Sequence, residues 1–196
     1  MRSVNKQRDT KETQISCYVN LDGDGTNDIH TGVGFFDHML TLFSFHSGID
    51  VKLKANGDLN VCDHHTVEDC GILLGTCVKE ALQDKRGIAR YGNMMLPMDE
   101  TLCNVTLDIS GRPYLVYHCE LKRDQIGNFS CEMVEEFLRA FAFAAGIMLA
   151  DLVRFRMDEK RRLHKIEAIF KALGRALKAA VKVEGDALPS TKGKLE

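Results

Sequence analysis

Two short patterns recur in the two halves of this chain at nearly the same spacing. Residues 46–49 lie 98 positions before residues 144–147, and residues 64–68 lie 99 positions before residues 163–167. Matched spacings of this kind are typical of an internal repeat. The sequence therefore predicts two similar halves related by a pseudo-twofold axis, each with a long helix, a return strand region and a second helix.

The recurring segment of the first half combines metal-binding residue types with a helix pattern. Apolar side chains recur at helical spacing over residues 67–82, which predicts an amphipathic helix, and Asp63 stands where its capping residue belongs. His64 and Glu68 then lie four residues apart on one helix face, and His65 points elsewhere. Such a pair can hold one divalent ion, while His65 would serve a second ion or another subunit. The alternative is a solvated helix start.

Composition narrows the classes of function. The chain has 196 residues, 44% of them hydrophobic, and a net charge of -2, so bulk electrostatics favour neither nucleic acid nor a membrane surface as a partner. The seven cysteines contain no Cys-x-x-Cys pair, and we expect reduced thiols in a cytoplasmic compartment. No apolar run approaches the roughly 18 residues of a membrane span, and the polar start of the chain predicts no signal peptide.

Local patterns predict the remaining elements. Alternating residues 10–21 predict a strand, and residues 22–25 predict a plain turn, because the glutamate of a calcium loop is missing. Residues 49–53 and 59–61 predict a hairpin that turns at 56–58. Further strands are predicted at 99–109 and 114–121, and further helices at 35–46, 132–149 and 163–183.

Ten short segments, spread over nearly the whole chain, match the motifs of one enzyme family. They are residues 10–13, 20–23, 34–40, 57–59, 63–69, 84–88, 98–100, 107–113, 167–172 and 188–193. On these segments the chain resembles imidazoleglycerol-phosphate dehydratase, an enzyme of histidine biosynthesis. A match of this density is highly specific for family membership.

The resemblance implies an α+β fold of two pseudo-symmetric repeats. Each repeat would be a four-stranded sheet with two helices, and the helices would pack between the two sheets. We expect residues 1–92 to form the first repeat and residues 93–196 the second, including the C-terminal tail, within one compact domain. The family also implies a hollow homo-oligomer of 24 subunits with active sites at the subunit contacts.

The implied activity is that of a hydro-lyase. It removes water from imidazole glycerol phosphate to give imidazole acetol phosphate, and the implied cofactors are two manganese ions. Divalent cations on the imidazole ring act as Lewis acids and as a template, and a carboxylate transfers the proton. Carried over by position, the metal ligands are His38, His64, His65, Glu68, His164 and Glu167.

Catalytic and substrate-binding roles carry over in the same way. Glu12, Glu167 and His65 are the candidates for catalysis, and Glu12 and His46 match substrate contacts. Arginine side chains suit bidentate contacts with phosphate. The implied phosphate pocket consists of Arg90, Arg112, Ser190 and Lys192, which makes the C-terminal tail an ordered part of the site.

The chain departs from the family pattern at a few positions. Leu163 and Ala150 stand where the family has metal-binding histidines, and Leu42 replaces a glutamine on the substrate side. Leucine and alanine have no lone pair to donate, so a site that loses both ligands binds manganese weakly. The segment 151–162 is also longer than usual and rich in basic residues, with a solvated loop as its default interpretation.

If each pair of residues at i and i+4 shares one ion, both lost ligands belong to the same ion. The first ion keeps four ligands, His64, Glu68, His38 and His164, whereas the second keeps only His65 and Glu167. We therefore expect one retained metal site and one weakened or empty site.

Three functions are open at this point. The first is an active dehydratase with altered metal binding. The second is a divergent paralog with one degraded metal site that acts on, or merely binds, another phosphorylated ligand. The third is a non-enzymatic shell-forming or binding protein. The retained phosphate-pocket residues favour the first two.

Overall fold

A computed structural model describes residues 1–121, 124–155 and 163–195, and these segments form two matching halves. The first half contains β1 (Ser3–Asp9), β2 (Thr13–Asn20), β3 (Asn27–His30), α1 (Gly34–Ser47), β4 (Asp50–Gly57) and α2 (His64–Ala81). The second half contains β5 (Tyr91–Met98), β6 (Thr101–Asp108), β7 (Tyr114–His118), β8 (Gln125–Ile126), β9 (Phe129–Ser130), α3 (Met133–Ala145), β10 (Met148–Phe155) and α4 (Leu163–Val181).

The two large sheets have the same topology. Their strand orders are β1-β2-β4-β3 and β5-β6-β10-β7, and β8 and β9 form a small separate ribbon. In each large sheet the last pair is parallel, β3 with β4 and β7 with β10, whereas the other pairs are antiparallel. This repetition confirms the expected α+β fold with two four-stranded sheets. The second sheet begins at Tyr91, two residues before the predicted division, and the division into repeats stays a prediction.

The helices lie between the two sheets and pack in pairs across the halves. Helix α2 contacts α3, and α1 contacts α4. Both contacts depend on a glycine at the same position of the repeat. A Cβ on Gly75 would lie 2.5 Å from the carbonyl oxygen of Phe141, and a Cβ on Gly174 would lie 2.8 Å from that of Phe43. Any side chain at either glycine would therefore separate the helices.

An aromatic cluster joins the two halves into one core. The Phe137 ring on α3 lies 5.3 Å from both Phe36 on α1 and Phe170 on α4, and all three rings are buried. Full burial of one such side chain is worth roughly 1.5–3 kcal/mol. The helix starts described below are therefore held by a core common to both halves.

Two local predictions were wrong, and a third was right in position only. The proposed hairpin at residues 49–61 does not form, because β4 runs unbroken to Gly57 beside β2. The proposed helix at 132–149 ends at Ala145, where Gly146 adopts a left-handed conformation, and the chain then enters β10. Asp63 is the N-cap residue of α2, as predicted, but its side chain makes no capping bond. Its carboxylate instead accepts hydrogen bonds from the backbone and hydroxyl of Ser130 at 2.6 and 2.9 Å.

The first-half turn at residues 22–25 is organised by a carboxylate from outside it. The Asp50 carboxylate accepts hydrogen bonds from the backbone N–H groups of Asp24, Gly25 and Thr26 at 3.0–3.2 Å, and Asp22 pairs with Arg2 at 2.7 Å. These contacts agree with the interpretation of the segment as a plain turn. In the part of the chain that the structure describes, no helix is long and apolar enough to cross a membrane.

Candidate metal and substrate site

The first turn of α2 presents an imidazole and a carboxylate side by side. His64 Nε2 lies 3.6 Å from Glu68 Oε2, and each side chain is 43% exposed. The pair is four residues apart on one helix, which is why the two side chains meet. The pair is open to solvent, so a cation or another subunit can reach both donor atoms.

His65 lies on a different side of the same turn and contacts two carboxylates. Its Nδ1 is 3.0 and 3.2 Å from the two oxygens of Asp58, and its Nε2 is 3.9 Å from Oε1 of Glu12. The hydrogen bond to Asp58 raises the pKa of His65, with the charge of Glu12 acting in the same direction. The structure thus brings two of the predicted catalytic residues, Glu12 and His65, together.

The start of α4 presents a similar cluster in the second half. His164 Nδ1 lies 3.2 Å from Asp99 Oδ2 and 3.4 Å from Glu100 Oε1. One ligand atom from each of these three residues lies within 4.8 Å of the others, so the group could hold a metal ion. Sequence reasoning did not single out Asp99 or Glu100. The available signal was Glu100-Thr101, which repeats Glu12-Thr13 just before the second strand of the other sheet.

A further pair joins the two halves. His38 on α1 has its Nε2 3.9 Å from Oε1 of Glu167 on α4, because α1 and α4 pack together. Lys171 Nζ donates a hydrogen bond to the other oxygen of Glu167 at 3.1 Å. The sequence grouping put His38 and Glu167 on different ions, whereas one chain brings them together. The grouping also counts ligands from neighbouring copies and stays a prediction.

The donor set fits a divalent cation. Imidazole nitrogens and carboxylate oxygens together suit manganese, zinc and iron, whereas thiolates would select softer metals. In each of two pairs, His38–Glu167 and His64–Glu68, one nitrogen and one oxygen lie within 4 Å of each other. A cation bound by both side chains of one pair requires only small side-chain movements.

The two replaced positions lie in different surroundings. Leu163 is 40% exposed at the start of α4, where the first half has His64. Ala150 on β10 lies directly opposite the exposed Thr106 of β6, and cross-strand neighbours share a face of the sheet. Ala150 therefore lies on the outer face of its sheet, away from α4.

Of the basic segment 151–162, the first five residues end β10 and the rest lies outside the described residues.

His46 lies in the last turn of α1 and faces α4. Burial lowers its pKa, and the positive charges of Arg175 and Lys171 lower it further. Its Nδ1 is buried and has no hydrogen-bond partner among the described residues. A neutral imidazole is the form that these surroundings favour.

Arg90 connects the second sheet to the C-terminal tail. Its Nε and Nη2 donate to the two oxygens of Asp108 at 2.7 and 3.1 Å, and its Nη1 donates to the carbonyl oxygen of Pro189 at 2.9 Å. The next residue, Ser190, accepts a bond from the backbone N–H of Lys192 at 3.3 Å. Three predicted phosphate-pocket residues therefore belong to one connected structure. Arg112 is exposed on the separate turn that follows β6.

Comparison with known proteins assigns a family to this fold and site. The sequence profile of imidazoleglycerol-phosphate dehydratase matches residues 31–177. The protein of that name from Clostridium botulinum is 55% identical over 188 residues, which cover 95% of each chain. The protein of the same name from an Exiguobacterium species is 49% identical over 197 residues, which cover 100% of each chain.

Solved structures give the same result. The crystal structure of imidazoleglycerol-phosphate dehydratase from Staphylococcus aureus superimposes with a TM-score of 0.82 at 42% identity, covering 92% of this chain and 99% of the other. The enzyme from Pyrococcus furiosus, in complex with (S)-C348, also gives a TM-score of 0.82, at 35% identity, with 97% and 100% of the two chains covered. The similarity therefore includes both halves of the fold.

Proposed function

This chain belongs to the imidazoleglycerol-phosphate dehydratase family and is a hydro-lyase, and on that premise we propose that the clusters at the starts of α2 and α4 carry out the dehydration. The substrate is imidazole glycerol phosphate and the product is imidazole acetol phosphate. The observation that carries this proposal is the pairing of His65 with Glu12 at 3.9 Å, beside the His64–Glu68 pair.

The metal-binding side chains come from three helices. When bound, manganese ions supply Lewis-acid chemistry and orient the imidazole ring. The residues that would hold them are His38, His64, His65, Glu68, His164 and Glu167. Because Leu163 and Ala150 donate no lone pair, we propose one strongly bound ion and one weakly bound or absent ion.

The carboxylates carry the proton transfers. Glu12 is 54% exposed and lies beside His65, whereas Glu167 is 20% exposed and accepts a hydrogen bond from Lys171 at 3.1 Å. One of them accepts the proton from the carbon beside the ring, and the other donates a proton to the departing hydroxyl group. The hydrogen and the hydroxyl leave as one water molecule, so no oxidant or reductant is needed.

The phosphate group of the substrate would lie near the C-terminal tail. Arg90 uses three of its five N–H groups on Asp108 and Pro189, which leaves one N–H on each terminal nitrogen for a phosphate oxygen. Ser190, Lys192 and Arg112 supply further donors. His46, neutral beside α4, would contact the ring end of the substrate.

The assembly and location are part of the same proposal. We propose a homo-oligomer, with 24 subunits as in the family, whose active sites lie between subunits in the cytoplasm. The position of Ala150 on the outer face of its sheet supports this arrangement, because a metal-binding residue there would lie away from α4 of its own chain and toward a neighbouring copy. The partners are then other copies of the chain and the phosphorylated substrate, with no nucleic acid and no membrane.

A turnover assay tests the proposal. The purified protein, supplied with manganese, should convert imidazole glycerol phosphate to the acetol product, and removal of the metal by a chelator should stop the reaction. If no product forms but phosphate analogues raise the melting temperature, the divergent-paralog alternative is favoured. If neither occurs, the protein is a structural or binding member of the family.

A further inference from the structure

A carboxylate outside the predicted site connects its two functional side chains. Asp58 follows β4, and its backbone N–H donates to the carbonyl oxygen of Glu12 at 3.1 Å. Its side chain lies 3.0 and 3.2 Å from Nδ1 of His65 and is 23% exposed. One residue therefore contacts both Glu12 and His65.

The strand register explains why Asp58 reaches both partners. The β2–β4 pair aligns Thr13 with Gly57, so Glu12 and Asp58 lie side by side just beyond the strand ends. A Cβ on Gly57 would lie 2.0 Å from the hydroxyl oxygen of Thr66. Glycine thus lets the end of β4 lie against the first turn of α2, and the next side chain meets His65.

The contact between Asp58 and His65 determines which ring nitrogen of His65 is available to bind a metal ion. An ionised carboxylate only accepts hydrogen bonds, so the proton of neutral His65 belongs on Nδ1. Nε2 then carries the lone pair, and this atom faces Glu12 at 3.9 Å. Histidine ligands commonly give their other N–H to a carboxylate, which fixes the tautomer and the ring orientation.

We infer that Asp58 is a positioning residue that holds His65 with Nε2 as its metal-binding atom, beside the carboxylate of Glu12. This inference rests on the proposed function for its role in catalysis, but the hydrogen bond and the tautomer are properties of the metal-free protein. His164 takes the position of His65 in the second half. His164 Nδ1 has no hydrogen-bond partner among the described residues, and its neighbouring carboxylates come from the turn before β6.

The first test is spectroscopic and needs no substrate. Nitrogen-15 NMR of the metal-free protein, recorded at an alkaline pH where His65 is neutral, should show the ring proton on Nδ1. In Asp58→Ala the proton should move to Nε2, the form that free imidazoles favour. Asp28→Ala is the matched control, because Asp28 also contacts an imidazole, that of His30 at 3.0 Å, but outside the site; it should leave the His65 signal unchanged.

The second test measures manganese affinity by electron paramagnetic resonance. Asp58→Ala should weaken binding about 10- to 100-fold, as is usual when the partner of a metal-bound histidine is lost. Asp58→Asn, whose amide oxygen still accepts the Nδ1 hydrogen bond, should lie between Asp58→Ala and the parent. Asp28→Ala should bind as the parent does.

The outcomes separate the two proposals. A parent protein whose neutral His65 carries its only ring proton on Nε2, or an Asp58→Ala variant with parental tautomer and affinity, would overturn the role of Asp58. A parent that shows the expected tautomer and binds manganese, yet does not turn over imidazole glycerol phosphate, would overturn only the proposed function.

Discussion

The two halves of the molecule share a backbone plan but differ in the side chains at their helix starts. Both sheets have the same strand order, and both helix pairs approach closely at a glycine. At the equivalent turns, however, the first half has His64 and the second has Leu163. These positions are 43% and 40% exposed, so neither side chain is fixed by packing. The fold therefore constrains the donor atoms at the helix starts weakly.

Buried polar contacts below the helix starts differ in the same way. In the first half Asp69 is 8% exposed and accepts hydrogen bonds from Thr13 and Arg8. In the second half Ala168 takes the position of Asp69, and the hydroxyl of Thr101 is buried without a partner among the described residues. In the first half, these hydrogen bonds therefore hold the loop that carries Glu12 in place. Among the described residues of the second half, no such network supports Glu100.

The largest expected effect separates Glu12 from its counterpart Glu100. Glu12→Gln should lower kcat by about 10²- to 10⁴-fold, because general acid–base catalysis contributes a factor of that size. Glu100→Gln should reduce kcat far less, since no buried network holds Glu100 among the residues that the structure describes. Steady-state kinetics with saturating manganese checks both variants. Equal losses in the two variants would mean that the halves are functionally alike, contrary to the comparison.

A double substitution should make the second half resemble the family pattern. Ala150→His with Leu163→His adds two imidazole donors, and the manganese content should rise from about one ion to about two per chain. The count is made by elemental analysis after dialysis, alongside the turnover rate. The matched control is Phe143→His, which adds an imidazole at a position of α3 that is 51% exposed and away from the helix starts. A parent protein that already holds two full ions would contradict the proposed asymmetry.

The sequence predicts the elements that have a distinctive pattern of apolar residues. It does not predict elements whose residue pattern fits more than one type of structure. Helices α1 and α4 were predicted almost to their ends. The edge strand β1 was missed because Ser3–Asp9 is polar and charged, as edge strands commonly are. The predicted helix at 132–149 wrongly includes the start of β10, because an apolar run alone does not distinguish a buried helix from a buried strand.

The contacts of the candidate site also differ in whether the sequence alone could predict them. The i,i+4 pair of His64 and Glu68 follows from helix spacing, and the structure shows it. Asp58 and Asp99 approach their histidines through strand register and turn geometry, which no single-sequence spacing displays. The pairing of His38 with Glu167 depends on the packing of α1 against α4 and was equally out of reach.

A stability measurement sharpens the contrast between the buried networks. Asp69→Ala removes the acceptor for Thr13 and Arg8 and should lower the free energy of unfolding by about 1.5–3 kcal/mol, the usual value for hydrogen bonds to a charged group. Asp28→Ala removes an exposed carboxylate beside Lys54 and should change stability by less than about 1 kcal/mol. Urea unfolding of both variants provides the test. A loss for Asp69→Ala no greater than that of the control would show that the network is not structurally important.

The smallest expected effect concerns His46, whose counterpart in the second half is Ala144. Burial and the nearby cations Arg175 and Lys171 lower the pKa of His46 in the folded protein. As the pH falls below about 6.5, the unfolded chain therefore binds a proton at His46 before the folded protein does. His46 thus lowers the free energy of unfolding on acidification until the pH passes the lowered pKa of the folded state. His46→Ala should remove that part of the pH dependence, so its stability should fall less than the parent's over the same range. Urea unfolding at a series of pH values measures the difference, with His30→Ala on the exposed end of β3 as the control. If the stability of the parent and of His46→Ala falls in parallel with pH, His46 is not buried as described, and this difference between the two halves has no energetic consequence.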